Sequence, residues 1–258
     1  MPVDLSIVVP VFNETDNIAP LAQEVATAFR DSPQSFELIF VDDGSSDRTW
    51  ETIAECRQRD PRIRGIRLRQ NTGQSAALWT GLQVARAPVI ATLDGDRQND
   101  PADLPTLLTA LEQADLVVGV RANRKDNFMR RLSARVARWA RGAVLGVGFQ
   151  DTGCNLRVFR RRVLNDILPF NGFHRFLPVL AQGGGTSVVE VPVHHRPRAA
   201  GVSKYGVWNR LWRGIADLAA VAWYQKRRLQ PVAYSELADH SADGNPELGT
   251  EHNQGEPP

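Results

Sequence analysis

The chain has 258 residues, 42% hydrophobic and 23% charged, the balance of a soluble globular protein; a disordered or fibrous chain is excluded. At this length roughly 70% of the unfolded surface is hidden on folding, so neither a disulfide nor a structural metal is needed to hold a core. The net charge of +2 conceals an asymmetry: six of the 29 acidic residues and no Lys or Arg lie in 231–258, leaving 23 acidic against 31 basic residues in the first 230.

That basic body points to an anionic partner: nucleotide, phosphate, acidic lipid or nucleic acid. Cys56 and Cys154 match no metal or redox spacing and fit a reducing compartment. No run of 18 apolar residues suggests a transmembrane helix, and Met1 to Val11 lacks the layout of a signal peptide. The expectation is therefore a cytoplasmic protein.

In chain order, short β-branched runs at Leu5–Val11, Phe36–Val41, Ile63–Leu68, Val89–Leu93 and Leu116–Val120 read as strands. Helical periodicity falls between them near Asn17–Phe29, Asp47–Arg59, Ser75–Ala85 and Pro101–Gln113. Thr15 or Asp16 is the candidate cap of the first helix, and Pro20 suits an early helical turn. Alternation with nearly all-apolar strands predicts an α/β fold, a mostly parallel sheet with helices on both faces. Further on, a basic helical stretch is expected at about Asn127 to Leu145, strands at Gly153–Phe159 and Thr186–His194, and helices at Arg161–Leu168, His174–Ala181 and Val207–Arg228. The polar, acidic 231–258 reads as a disordered tail. The domain organisation expected is a catalytic domain over 1–206, an amphipathic helix over 207–230 and that tail.

Ligands of parallel α/β sheets bind outside the carboxyl ends of the strands, so the residues just past each strand matter most. The first strand runs into Pro10-Val11-Phe12-Asn13-Glu14, the second into Asp42-Asp43-Gly44-Ser45-Ser46-Asp47, and the fourth into Asp94-Gly95-Asp96-Arg97-Gln98. Carboxylates at i and i+2 of an extended segment project the same way. Asp94 and Asp96, with a carbonyl oxygen from Gln98, form a candidate site for Mg²⁺ or Mn²⁺, hard cations that bridge to substrate phosphates. Asp42 would accept hydrogen bonds from a nucleobase, Asn13 and Glu14 would meet ribose or base, and Gly73 would let the backbone approach the nucleotide. Each segment also has a plain structural reading as a turn or helix cap; the argument for function is their coincidence at one edge.

Val8 to Glu14, Asp42 to Asp47 and Asp94-Gly95-Asp96, in this order, resemble the inverting glycosyltransferases of family 2, with the GT-A (Rossmann-like) fold. Asp151-Thr152-Gly153-Cys154-Asn155-Leu156-Arg157, Phe173 to Pro178 and Arg198 to Gly206 make the chain similar, more closely, to the polyprenyl-phosphate glycosyltransferases, which include dolichol-phosphate mannosyltransferase and undecaprenyl-phosphate sugar transferases of bacteria. The resemblance covers about 4–206. It implies a nucleotide-sugar donor such as GDP-mannose or a UDP-sugar, its nucleotide against Pro10, Asn13, Glu14, Asp42, Gly73 and Lys204 and its diphosphate on the metal at Asp94, Asp96 and Gln98. The implied acceptor is a polyprenyl phosphate in the cytoplasmic leaflet.

Transfer to an alcohol calls for a carboxylate base, and many relatives carry an acidic pair deep in the domain where this chain reads His174-Arg175. An ionised phosphate acceptor needs no deprotonation, so a cation that holds it is more useful there than a base. Eight basic residues between Arg121 and Arg141 face one acid, Asp126, with Arg131, Arg135 and Arg138 on one helical face. Arg121 and Arg131, with Ser203, are the expected acceptor-phosphate residues, and the remainder would meet an anionic membrane surface at about 1 kcal/mol each. Arg198, Ser203 and Lys204 lie on a glycine-containing loop suited to closing over the diphosphate or acceptor. Asp96, Arg121, Arg131 and Arg198 are therefore the candidate catalytic residues.

Trp208, Trp212 and Trp223 share the last helix, which suits a helix in the bilayer interface; packing on the domain is the competing reading. Many relatives continue here into transmembrane helices, so an integral membrane partner is a candidate source of anchoring. A peripheral protein on the cytoplasmic face is expected. Nucleic-acid binding is disfavoured because the basic stretch lacks aromatic interleaving. The alternative within the family is transfer to a sugar hydroxyl of a glycolipid or polysaccharide. A nucleotidyltransferase would need a Gly-rich loop where Pro10-Val11-Phe12-Asn13 stands, and a dinucleotide oxidoreductase a Gly-x-Gly-x-x-Gly after a strand. A non-catalytic binding module predicts that Asp96→Ala leaves the protein's one activity intact.

Overall fold

A computed structural model describes residues 3–121, 142, 144–146, 148–196 and 207–228, with side chains from 214 onward in the last stretch. Seven strands form one sheet: β1 Leu5–Val11, β2 Phe36–Asp42, β3 Ile63–Arg67, β4 Val89–Thr92, β5 Leu116–Arg121, β6 Arg157–Arg160 and β7 Val188–Val193. Their order is β3-β2-β1-β4-β6-β5-β7. β1 pairs in parallel with β2 and β4, β2 with β3, and β5 with β7. β6 alone runs antiparallel, between β4 and β5.

β1 and β2 are covered on both faces, so they carry continuous apolar runs rather than alternation. Helices α1 Thr15–Ala28, α2 Thr49–Arg59 and α4 Leu104–Ala110 pack Ile18, Leu21, Val25, Ile53 and Leu107 on one face. Helices α3 Gln74–Val84, α5 Phe173–Gly183 and α6 Val207–Arg227 cover the other with Leu78, Leu82, Phe173, Leu177, Leu180 and Val221. From β1 the chain builds outward through β2 and β3, then returns to the other side of β1 with β4. That reversal opens a crevice at the carboxyl ends of β1 and β4.

Local departures from the sequence reading have identifiable causes. Glu14, not Thr15 or Asp16, occupies the α1 cap. Thr15 is instead drawn into the helix, where its hydroxyl donates to Asp47 Oδ2 at 2.7 Å. The strand expected from Gly153 begins only at Arg157; ahead of it Gly153 N donates to Asp151 Oδ1 within its own turn and Asn155 Nδ2 reaches Asp94 Oδ1. The expected helix after β6 is a 3-10 turn over Arg161–Asp166. The C-terminal half of α6 lies on α5, where Gln225 Nε2 donates to Val179 O at 3.2 Å, and just past the end of α6 Arg228 binds Asp166 Oδ1 of the 3-10 turn at 2.5 Å. Ile215 and Trp223 on its outer side are 49% and 62% exposed. Among the described residues no helix is long and apolar enough to cross a membrane. Most of the basic stretch after Arg121, the expected tail and the side chains of Trp208 and Trp212 lie outside the described residues.

Candidate active site

The loops after β1 and β2 are joined to each other before they meet any ligand. Asn13 N donates to Ser45 Oγ at 2.9 Å, and Ser46 N donates to Asn13 Oδ1 at 2.9 Å. Glu14 N donates to Thr49 Oγ1 at 2.9 Å, and Asn17 Nδ2 to Glu14 Oε2 at 2.6 Å. Pro10 leads into this junction at the end of β1. Asp42 is fully buried; its Oδ1 accepts from Ser45 N at 2.9 Å, while Oδ2 accepts no hydrogen bond among the described residues and lies 3.3 Å from Arg67 Nε. Asp43 organises the segment leading into α3, accepting from Thr72 N (2.8 Å), Thr72 Oγ1 (2.9 Å), Gly73 N (2.8 Å) and Asn71 Nδ2 (3.0 Å). Gly73 has φ +94°, and a Cβ there would meet nothing within 4 Å: the position faces open space.

Asp94 and Asp96 follow β4 into the crevice. Gly95 between them lies against β1, where a Cβ would come within 2.6 Å of Val11 Cγ1. Asp94 Oδ1 accepts from Gln74 Nε2 at 3.0 Å and Asn155 Nδ2 at 2.8 Å; its Oδ2 makes no hydrogen bond among the described residues. Burial, then the neighbouring Asp96 carboxylate, pushes the Asp94 pKa up to about 6, against the pull of the Asn155 hydrogen bond, Arg157 and Arg121. Asp96 is 8% exposed and accepts from Gln98 N at 3.1 Å. The side-chain amide of Gln98 makes no hydrogen bond among the described residues.

These donors fit a divalent cation. Two carboxylates strained against each other, with one Asp94 oxygen held by amides and the other uncommitted, are hard oxygen ligands for Mg²⁺ or Mn²⁺. Among the described residues no three His, Cys, Asp or Glu gather as a closed cage, so substrate oxygens, water and Gln98 would complete the coordination. The only non-glycine residues of positive φ among those described, Asn13 at 54° and Arg97 at 59°, both belong to this edge. Arg97 is held there by its ion pair with Glu24. Arg196 donates to Glu24 Oε2 at 3.0 Å and pairs with Asp100 at 2.5 Å, while its N–H bonds Gln98 O at 2.9 Å. The root of the 197–206 segment is thereby fastened to the acidic loop.

On the other flank Arg121, at the end of β5, makes a bidentate pair with Asp151 (2.6 and 2.8 Å). Arg131, Arg198, Ser203 and Lys204 lie outside the described residues. Three residues without an assigned role from sequence prove central. Gln74 and Asn155 fix Asp94. Arg157 is fully buried beneath them, donating to His174 O at 2.7 Å and Thr152 O at 3.1 Å. Burial depresses its pKa to about 10, with Cys154, Asp94 and Asp151 opposing that shift. The available signal was the 151–157 segment itself, whose polar residues fall beside a strand-like run. His174 Nδ1 lies 2.8 Å from Ser75 Oγ; burial first, then Arg175 and Arg157, lower its pKa to about 3, so the ring is neutral at physiological pH.

A family model described as "Glycosyl transferase family 2" matches residues 6–168. The dodecaprenyl-phosphate galacturonate synthase of Rhizobium johnstonii is 39% identical over 234 residues, 88% of this chain and 69% of that relative. The undecaprenyl-phosphate 4-deoxy-4-formamido-L-arabinose transferase of Edwardsiella ictaluri is 35% identical over 205 residues, 79% of this chain. The chain spans 63% of that second relative's length. Among solved structures, glucosyl-3-phosphoglycerate synthase from Mycobacterium tuberculosis in complex with Mn²⁺ and UDP-glucose superposes with a TM-score of 0.64 at 19% identity, covering 90% of this chain and 81% of that one. At that identity the match speaks for the fold alone.

Proposed function

The chain belongs to glycosyl transferase family 2, and from that premise we propose that it transfers a sugar, with inversion, from a nucleotide-sugar to a polyprenyl phosphate. The named activities of the relatives from R. johnstonii and E. ictaluri support this acceptor class. The observation that carries it is local to α5. Where relatives that activate an alcohol hold an acidic pair, this chain has His174, a neutral, buried ring with a pKa of about 3. So weak a base cannot deprotonate a hydroxyl, and a phosphate monoester does not ask it to.

In this reading Asn13, Glu14 and Gly73 line the nucleotide, and Asp42, fully buried behind them, would need to be uncovered to reach the base. Asp94, Asp96 and Gln98 would hold Mg²⁺ or Mn²⁺, which supplies charge neutralisation for the departing diphosphate. Gln74 and Asn155 keep Asp94 oriented, and Arg121, steadied by Asp151, holds the acceptor phosphate together with Arg131 and Ser203. Arg198 and Lys204 close on the two phosphates. A phosphate oxygen forms the new bond to the anomeric carbon as the bond to the nucleoside diphosphate breaks on the opposite face, and no proton is exchanged. Because the carrier is a membrane lipid, the basic stretch and α6 would meet an anionic cytoplasmic surface, with an integral membrane protein as the candidate anchor.

The test is incubation with a panel of GDP- and UDP-sugars and undecaprenyl phosphate, with and without EDTA. One donor should yield a glycosyl phosphoglycolipid, EDTA should abolish it, and Asp96→Asn should lower the rate about 10²–10³-fold. Transfer to a phosphate-free glycolipid but not to undecaprenyl phosphate would overturn the acceptor assignment.

A further inference from the structure

At the edge of the sheet opposite the acidic loops, a groove of about 740 Å³ lies between the end of α2 and the segment after α3, lined by Phe36, Glu37, Arg57, Arg62, Arg64 and Arg86. Two of its four guanidiniums are neutralised. Arg64 Nη1 meets Glu37 Oε2 at 2.6 Å, and Arg62 pairs with Asp60 at 2.8 Å. Glu37 is saturated, accepting also from Ser6 Oγ and Arg86 N. Arg57 spends one N–H on Ile63 O at 2.7 Å, and the guanidinium of Arg86 makes no hydrogen bond or ion pair among the described residues. A guanidinium has five N–H donors, so the groove presents a surplus of two positive charges and most of two donor sets, at the end of the molecule remote from the donor and acceptor phosphates.

We propose that this groove docks the acidic segment of its own chain, residues 231–258, whose six carboxylates (Glu236, Asp239, Asp243, Glu247, Glu251 and Glu256) are accompanied by no Lys or Arg. Charge complementarity selects the segment, and the exit point of the chain supplies the reach. Arg228, the last described residue, is pinned to Asp166, and Asp166 ends the turn that follows antiparallel β6. That turn lies on the edge where β1, β2 and β3 begin. Three strand spacings separate β6 from β2, roughly 15 Å, and the eight residues from Arg228 to Glu236 span up to about 28 Å. Tethering gives the segment an effective concentration on the order of millimolar, which favours it over a free anion. Docked, it masks basic surface at the wrong end of the enzyme and leaves the positive field at the phosphate-binding end.

The full-length Arg57→Lys/Arg86→Lys variant tests this, because a zero-length carbodiimide couples carboxylates to ammonium groups but not to guanidiniums. At 50 mM NaCl, mass spectrometry should find intramolecular amides between positions 57 or 86 and carboxylates of 236–256, at least about fivefold fewer at 500 mM. In the Arg57→Glu/Arg86→Glu variant, a glutamyl endopeptidase should cut the segment at least about threefold faster than in the parent, while the same change at Arg69, exposed past the carboxyl end of β3 and outside the groove lining, leaves the rate unchanged. Absent or salt-insensitive cross-links, or equal cleavage rates, overturn the proposal. So do cross-links confined to dimers, which would make a second copy the occupant. Cross-links erased by 5 mM inorganic phosphate at constant ionic strength also overturn it, since the groove would then be a phosphate site.

Discussion

Asp94, the proposed metal ligand, is held in the fold at a cost. Its folded pKa of about 6, raised by burial and by Asp96, lies above the unfolded value near 3.9. A raised pKa contributes stability that is present below the unfolded value and lost as pH rises through about 6. Above that pH the ion-free protein holds two neighbouring carboxylates with no cation between them. Asp94→Asn should therefore raise the melting temperature of the EDTA-treated protein at pH 8, by the equivalent of about 1–2 kcal/mol. The gain should shrink at pH 5, and transfer should fall about 10²–10³-fold. A variant that melts lower than the parent at pH 8 would contradict this account of the site.

Connections between elements are made by backbone geometry that only glycine tolerates well. Gly44 (φ +69°) and Gly73 (φ +94°) bracket the Asp43 cluster, but they differ in what surrounds them. At Gly73 a Cβ meets nothing, so Gly73→Ala should cost about 1–3 kcal/mol from the backbone alone, since φ +94° with ψ 159° is a conformation essentially confined to glycine. At Gly44 a Cβ would lie 2.7 Å from the Gln70 carbonyl carbon and 2.8 Å from Asn71 N. Gly44→Ala must then push away the segment that carries Thr72 and Gly73, costing about 2–3 kcal/mol and weakening nucleotide binding as well. A UDP or GDP titration separates the two variants, and equal losses of nucleotide affinity would refute the steric distinction. The glycine positions are legible in the sequence; which of them meets a neighbouring backbone is not, because that backbone arrives from beyond β3.

Across the whole molecule, β6 is the piece that unites the two flanks of the site. Running against its neighbours, it pairs Arg157 with Thr92 of β4 and Val118 of β5. The buried guanidinium thereby sits under Asp94 while its N–H groups hold the carbonyls of Thr152, beside the Arg121–Asp151 pair, and His174, at the start of α5. Arg157→Met should cost at least about 3 kcal/mol, because it leaves two buried carbonyls unpaired and removes one of the two cations, with Arg121, that act on Asp94. Arg157→Lys should recover little of it, since one ammonium cannot reproduce the planar fork. Stability within about 1 kcal/mol of the parent in denaturant unfolding would show that the guanidinium is not a brace.

The sequence by itself determined the strands and helices of the first 120 residues, their parallel arrangement, and the gathering of Asn13, Asp42, Asp94 and Asp96 at one edge. Those features follow from local periodicity and from the rule that parallel strands end together. Only the tertiary structure decided that β6 inserts antiparallel, that Asp94 is gripped by Gln74 and Asn155, that Arg157 is buried, and that His174 is neutral beside Ser75. Each of these depends on a partner distant along the chain, 99 residues away for Ser75 and His174. A local pattern specifies the conformation of its own segment, whereas burial and charge state are properties of whatever the fold packs against it.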